Sequence, residues 1–182
     1  MNSSFRFITL GLLGIVVLLA CKSGRQQELD QITGMEQALK NDTADTPDIN
    51  KAVALVGLYD QFVTAHPDDS MSSEYLFRAA DISQGVHHDS LAVAYYQRIC
   101  TNYPTSRKAA ASLFMMAFVY QNNLSDNDKA KAAYTDFLGK YPEHQLAASA
   151  QGALQQLEMG LSDEELIRMF QQKQDSLDTA AN

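Results

Sequence analysis

Apolar residues recur at helical spacing along most of the chain, and one pattern of them returns three times. Leu55, Tyr59 and Phe62 precede Pro67; Ala92, Tyr96 and Ile99 precede Pro104; Ala130, Tyr134 and Phe137 precede Pro142. Positions spaced four and then three apart fall on one face of an α-helix, which turns once in ~3.6 residues. Each proline lies beyond the helix end, where it cannot continue the ladder. The three tyrosines are 37 and 38 residues apart. Self-similarity at a period of ~20–50 residues is the mark of stacked repeats.

The same spacing rules place the other elements. Leu29, Ile32, Met35 and Leu39 predict a first helix over Glu28–Lys40, and Asn41 to Pro47 reads as a turn. Asp48 is placed to cap a helix running to about Ala65. Asp68, Asp69 and Ser70 supply cap oxygens for a helix from Met71 to about Gln84, with Tyr75, Leu76, Ala79 and Ile82 facing the core. Gly85 to Asp89 is the next turn, and Asp89 or Ser90 is the expected cap of the helix bearing Tyr96. Thr105 and Ser106 open a helix over about Lys108–Gln121 that is apolar around much of its circumference, as an enclosed helix is. Asp126 or Asp128 caps the helix bearing Tyr134. A further helix, about Gln145 to Met159, is stopped by Gly160, and Ser162-x-x-Glu165 is a capping box opening a last short helix to about Gln172. Such atypical ends suit a repeat array, whose terminal repeat faces water on one side.

The first twenty residues stand outside this pattern. Arg6 is the one charge before the apolar run Phe7 to Ala20. A short basic start and a short apolar core ending in a small residue predict an export signal, and the run is shorter than the ~20 residues of a comfortable membrane span. Leu18-Leu19-Ala20-Cys21 resembles the bacterial lipobox, which implies lipidation of Cys21 and an N-terminus anchored by acyl chains. Lys22 to Gln27 is polar and reads as a tether. The expected organisation is a signal peptide at 1–20, lipidated cysteine and tether at 21–27, a repeat domain at 28–174 and a flexible tail at 175–182.

Charge limits the partners. The net charge is −8, and every acidic residue follows Ala20. Nucleic acid needs a basic footprint and is excluded as an expected partner. Broad attraction to anionic lipid is excluded too, which leaves membrane attachment to the lipid. With no tryptophan and many alanines, the core suits close-packed helices. Cys100 is the second of two cysteines, so an acylated Cys21 leaves no disulfide framework, and Cys100 reads as a small core hydrophobe.

Candidate chemistry is sparse. The chain has no glycine-rich phosphate loop and no Gly-x-Ser-x-Gly elbow. His87-His88-Asp89 has ligand atoms, but adjacent histidines diverge and a third ligand at metal spacing is missing. Ser125-Asp126-Asn127-Asp128 lacks the glycine and closing glutamate of a calcium loop and reads as a polar turn. No catalytic residue, metal or cofactor is expected.

The A-x3-F/Y-x2-apolar-x4-P frame resembles the second helix of a tetratricopeptide repeat, whose period is ~34 residues. That resemblance implies an all-α fold, a TPR-like α-α superhelix of antiparallel helix pairs, in which first helices line a concave partner-binding face. Carried over in phase, it implies that Ser73, Glu74, Phe77 and Asp81, and then Arg107, Ala110, Phe114, Ala117 and Phe118, lie on that face. Phe77, Phe114 and Phe118 are either aromatic anchors for a partner or filling between stacked repeats. Together with the lipobox, the repeat ends Phe137-Leu138-Gly139-Lys140-Tyr141-Pro142 and Asn102-Tyr103-Pro104 resemble the periplasmic tetratricopeptide lipoproteins of the outer-membrane-protein assembly (BamD) family, although this chain has room for fewer repeats. The resemblance implies a lipid-anchored envelope scaffold that binds proteins. A cell-wall or division adaptor is the alternative. A glycan- or nutrient-binding lipoprotein is a third reading, weakened by the lack of tryptophan.

Overall fold

A computed structural model describes residues 24–41, 48–160, 165, 167–172 and 174. The described residues form helices and turns, with no strand among them. Helix α1 is described over 24–40, so it reaches at least four residues before the expected start at Glu28 and takes in part of the expected tether. It is followed by α2 (Ile49–Ala65), α3 (Ser72–Gly85), α4 (Asp89–Asn102), α5 (Ala109–Asn122), α6 (Asn127–Lys140) and α7 (Ala147–Met159). Residues 165, 167–172 and 174 are also helical. Cys21 and the Ser162 end of the expected capping box lie outside the described residues.

The chain divides into two compact units, Met1–Val86 and His87–Asn182. In the first, α2 packs on α3; in the second, α4 packs on α5, α5 on α6 and α6 on α7. The nine residues of the threefold apolar frame are each at most 2% exposed and form the centre of both cores. This is the all-α helix-pair arrangement expected from the repeat pattern.

The repeat ends are the same structure three times. The C-cap residues His66, Tyr103 and Tyr141 have φ/ψ of −131/61, −130/49 and −133/53. A residue before proline is pushed out of the α region, so each helix stops there. Asp69, Ser106 and His144 then donate their N–H to the C-cap carbonyl at 3.1, 3.0 and 3.1 Å. Each also accepts, through its own side chain, the N–H two residues on, from Met71 at 2.9 Å, Lys108 at 3.2 Å and Leu146 at 3.2 Å. A carboxylate, a hydroxyl and an imidazole nitrogen thus do the same job in three equivalent turns.

Two of the other caps follow the expectation and one corrects it. Asp48 accepts the N–H of Asn50 and Lys51, and Asp126 accepts that of Lys129. In α4 the N-cap is His88, without a side-chain cap bond, and Asp89 sits inside the first turn, where it accepts from Asn123 Nδ2 at 2.8 Å. His87 adopts a left-handed φ of 60°, which shifts the helix start one residue earlier than an Asp89 cap allows. Gly160 ends α7 with φ 66°, the left-handed conformation that glycine adopts without strain.

One buried group in α5 is left unmatched. The Ser112 hydroxyl is buried and finds no hydrogen-bond partner among the described residues. Such a group costs about 1–3 kcal/mol, and alanine is the better helix former. Ser112→Ala is therefore expected to stabilise the fold by about 1 kcal/mol, raising Tm by about 2–4 °C in a thermal melt. A lowered Tm would mean that the hydroxyl has a partner.

Candidate partner-binding site

In the first unit, polar side chains fasten α1. Arg25 Nε donates to Asp69 Oδ2 at 2.6 Å, His66 Nε2 lies 2.7 Å from Glu28 Oε2, and Ile32, one turn further along the helix, is buried. Glu36 Oε1 accepts from both the Tyr59 hydroxyl and Arg78 Nη1, each at 2.6 Å. Arg78 also donates from Nε to Glu74 at 3.0 Å. Tyr75 stacks on the Tyr59 ring at 5.0 Å. A shallow cleft of about 300 Å³ remains over this network, lined by Glu36, Leu39, Leu55, Tyr59, Arg78, Asp81 and Ile82. Burial first, and Glu36 second, push the Tyr59 phenol well above its usual range.

The second unit has a larger opening. A groove of about 760 Å³ runs between α5 and α7. Phe114 and Phe118 form one wall and Ser149, Gly152 and Ala153 the other, with Tyr134 of α6 between them. Met159, Met169 and Phe170 stand at its rim and are 42%, 41% and 59% exposed, so the apolar surface continues outside the groove. None of the described lining residues is charged; their polar groups are amides and hydroxyls. Exposed apolar surface of this kind marks interaction sites.

The residues expected on a partner-binding face divide between the units. Phe114 and Phe118 come together in the groove. Phe114 is half-buried and meets Tyr134 and Phe137 edge-on at 5.7 Å each, so it is core on one side and groove wall on the other. Phe118 is exposed. Arg107 is exposed in the turn before α5 and does not line the groove. In the first unit, Asp81 edges the small cleft, Glu74 is tied to Arg78 and Phe77 is half-buried. Ala110 and Ala117 are buried, and Ser73 is half-buried.

The wall formed by α7 was not among the expected site residues. Its signal is in the sequence: Ser149, Gly152 and Ala153, spaced three and then one apart, put small side chains on one face of the helix. Counting from the C-cap residues His66 and Tyr141 brings Glu74, Phe77, Arg78 and Asp81 of α3 into register with Ser149, Gly152, Ala153 and Gln156 of α7. The groove exists because α7 is small where α3 is large.

Among the described residues, no group of three or more His, Cys, Asp or Glu side chains is arranged to hold a metal ion. Cys100 is half-buried, and burial pushes its thiol up to about 11, which keeps it protonated at neutral pH. No helix of the described residues is long and apolar enough to cross a membrane.

Residues 111–144, which take in most of α5, all of α6 and the closing Pro142, match the tetratricopeptide repeat family model. No curated protein matches the chain at a significant level. The chain is an all-α protein containing a tetratricopeptide repeat, a type of fold that is typically a non-catalytic scaffold for protein partners.

Proposed function

We propose that this protein is a lipid-anchored adaptor of a bacterial cell envelope that holds a partner protein in the α5–α7 groove. The observation that carries the reading is the groove of about 760 Å³, walled by Phe114 and Phe118 on a tetratricopeptide repeat and without a charged side chain among its described lining residues. Apolar grooves between helices take amphipathic segments of other proteins. The anchor is supported by Leu18-Leu19-Ala20-Cys21 at the end of an apolar run. Residue 24, three residues after Cys21, is already helical. An extended chain covers at most ~3.6 Å per residue, so the lipidated residue and the first helical turn are within about 11 Å of each other. Such an anchor holds the first unit close to the bilayer surface.

The partner is sought first in the machinery that inserts outer-membrane proteins, because the repeat ends resemble those of its lipoproteins. The anchor is tested separately from the groove. A Cys21→Ala copy, expressed with a labelled fatty acid, is expected to lose the label and leave the membrane fraction. Retention of both label and membrane association would show that Cys21 is not the anchoring residue.

A further inference from the structure

The two units treat one repeat position in opposite ways. Over Tyr59, the chain supplies its own contents: Arg78 meets Glu36 at 2.6 Å, the Tyr59 hydroxyl donates to the same carboxylate, and about 300 Å³ is left. Over Tyr134, the residue in register with Arg78 is Ala153, the one in register with Phe77 is Gly152, and about 760 Å³ is open. Ala150 stands in register with Tyr75, so Tyr134 has no ring stacked on it as Tyr59 has; Phe114 meets it edge-on instead, and its ring is as buried as that of Tyr59. Burial alone pushes the Tyr134 phenol up to about 12; no carboxylate contributes, as Glu36 does at Tyr59.

We infer that the α5–α7 groove takes an uncharged amphipathic helix of a partner, with apolar side chains against Phe114 and Phe118 and a neutral hydrogen-bond acceptor on the Tyr134 hydroxyl. This rests on the reading of the groove as a docking site and adds the chemistry of its occupant. A helix fits the trough, since Ser149 to Met159 extends along about 15 Å of helix axis, between two and three turns. The acceptor is an amide or a main-chain carbonyl because none of the groove's described lining residues is charged. A guest carboxylate would find Ala153 where the first unit has Arg78, and a guest ammonium would find no counter-ion among the described lining residues. Either charge would be desolvated without compensation.

The test uses the full chain and labelled helical peptides of about sixteen residues, built on leucine, alanine and glutamine, whose apolar ridge carries one central Gln, Glu or Lys. Binding is read by fluorescence anisotropy. The Gln peptide is expected to bind, with the Glu and Lys peptides weaker by at least about tenfold. Tyr134→Phe is expected to weaken the Gln peptide about threefold to tenfold, the size of one neutral hydrogen bond, with unchanged helical circular dichroism. Gly152→Leu is expected to abolish binding by filling the groove; a Cβ at Gly152 meets nothing within 4 Å, and unchanged helical circular dichroism is expected of the variant. Equal or tighter binding of a charged peptide, or indifference to Tyr134→Phe, overturns the inference. If Gly152→Leu still abolishes that binding, the groove survives as a docking site. Failure of every peptide overturns the inference as well. So does concentration-dependent self-association lost in Gly152→Leu, which would make the occupant a second copy of this chain.

Discussion

Phe137→Ala is expected to cost about 3–5 kcal/mol, the usual range for truncating a buried phenylalanine. The ring is fully buried in α6. It meets Phe114 of α5 at 5.7 Å, and Tyr141 and His144 of the following turn at 5.6 Å each. One truncation therefore opens a hole between α5, α6 and the turn that leads into α7. Whole-domain stabilities are about 5–15 kcal/mol, so the loss is a large fraction of the total. At about 2–4 °C per kcal/mol, Tm should fall by about 6–20 °C, and amide protection should drop in α5, α6 and α7. Phe114→Ala should cost less, since that ring is half-buried. A Phe137→Ala variant within about 1 kcal/mol of the parent would mean that the repeat frame is not the centre of this core.

The second large effect is alkaline unfolding. Tyr59, Tyr75 and Tyr134 all have phenols raised above the ordinary value near 10, burial being the first cause in each. Tyr134 is pushed up to about 12. In the unfolded chain these phenols ionise near ~10, so above that pH the unfolded state binds fewer protons than the native state. Stability is then fully present below pH ~10 and falls as pH rises toward ~12. Each pKa unit corresponds to about 1.4 kcal/mol; discounted for solvent screening, Tyr134 alone contributes about 1–2 kcal/mol of the loss. Cys100, raised to about 11, acts in the same direction from its ordinary value near 9. Urea midpoints measured at intervals between pH ~8 and ~12 should be flat at first and then fall, with a shallower fall in Tyr134→Phe. A midpoint that stays constant to pH ~12 would show that these hydroxyls are not buried as described.

The helices were legible because their apolar periodicity and their stop signals agree. The Tyr-to-Pro frame gave the ends of α2, α4 and α6, and the pre-proline restriction makes those ends geometric rather than statistical. Asp48 and Asp126 were readable as caps, since a carboxylate before a helix has few other roles. Asp89 was not, because the left-handed His87 starts α4 one residue sooner and turns Asp89 toward Asn123. The repeated side-chain turn at Asp69, Ser106 and His144 was only half readable: aspartate and serine announce it, whereas an imidazole in the same place does not.

The site was readable on one wall. Phe114 and Phe118 follow from helix phase, although phase alone does not say that Phe114 also packs on Tyr134 and Phe137. The opposite wall is defined by what it lacks. Small residues in α7 satisfy any helical pattern, and only their register with Phe77 and Arg78 shows that a volume has been left open. Glu74 carries the reverse lesson. Its helical phase predicts a partner-facing position, but Arg78 already holds it.

A photo-crosslinking residue placed at position 118 of the lipidated chain, with one at position 135 as control, tests the docking claim most directly. Both positions are exposed, on α5 and α6. The account predicts discrete protein adducts in cells from position 118, absent from position 135 and lost when Gly152→Leu is added to the chain. Identical adducts from the two positions, or adducts from 118 that persist with the groove filled, would contradict it.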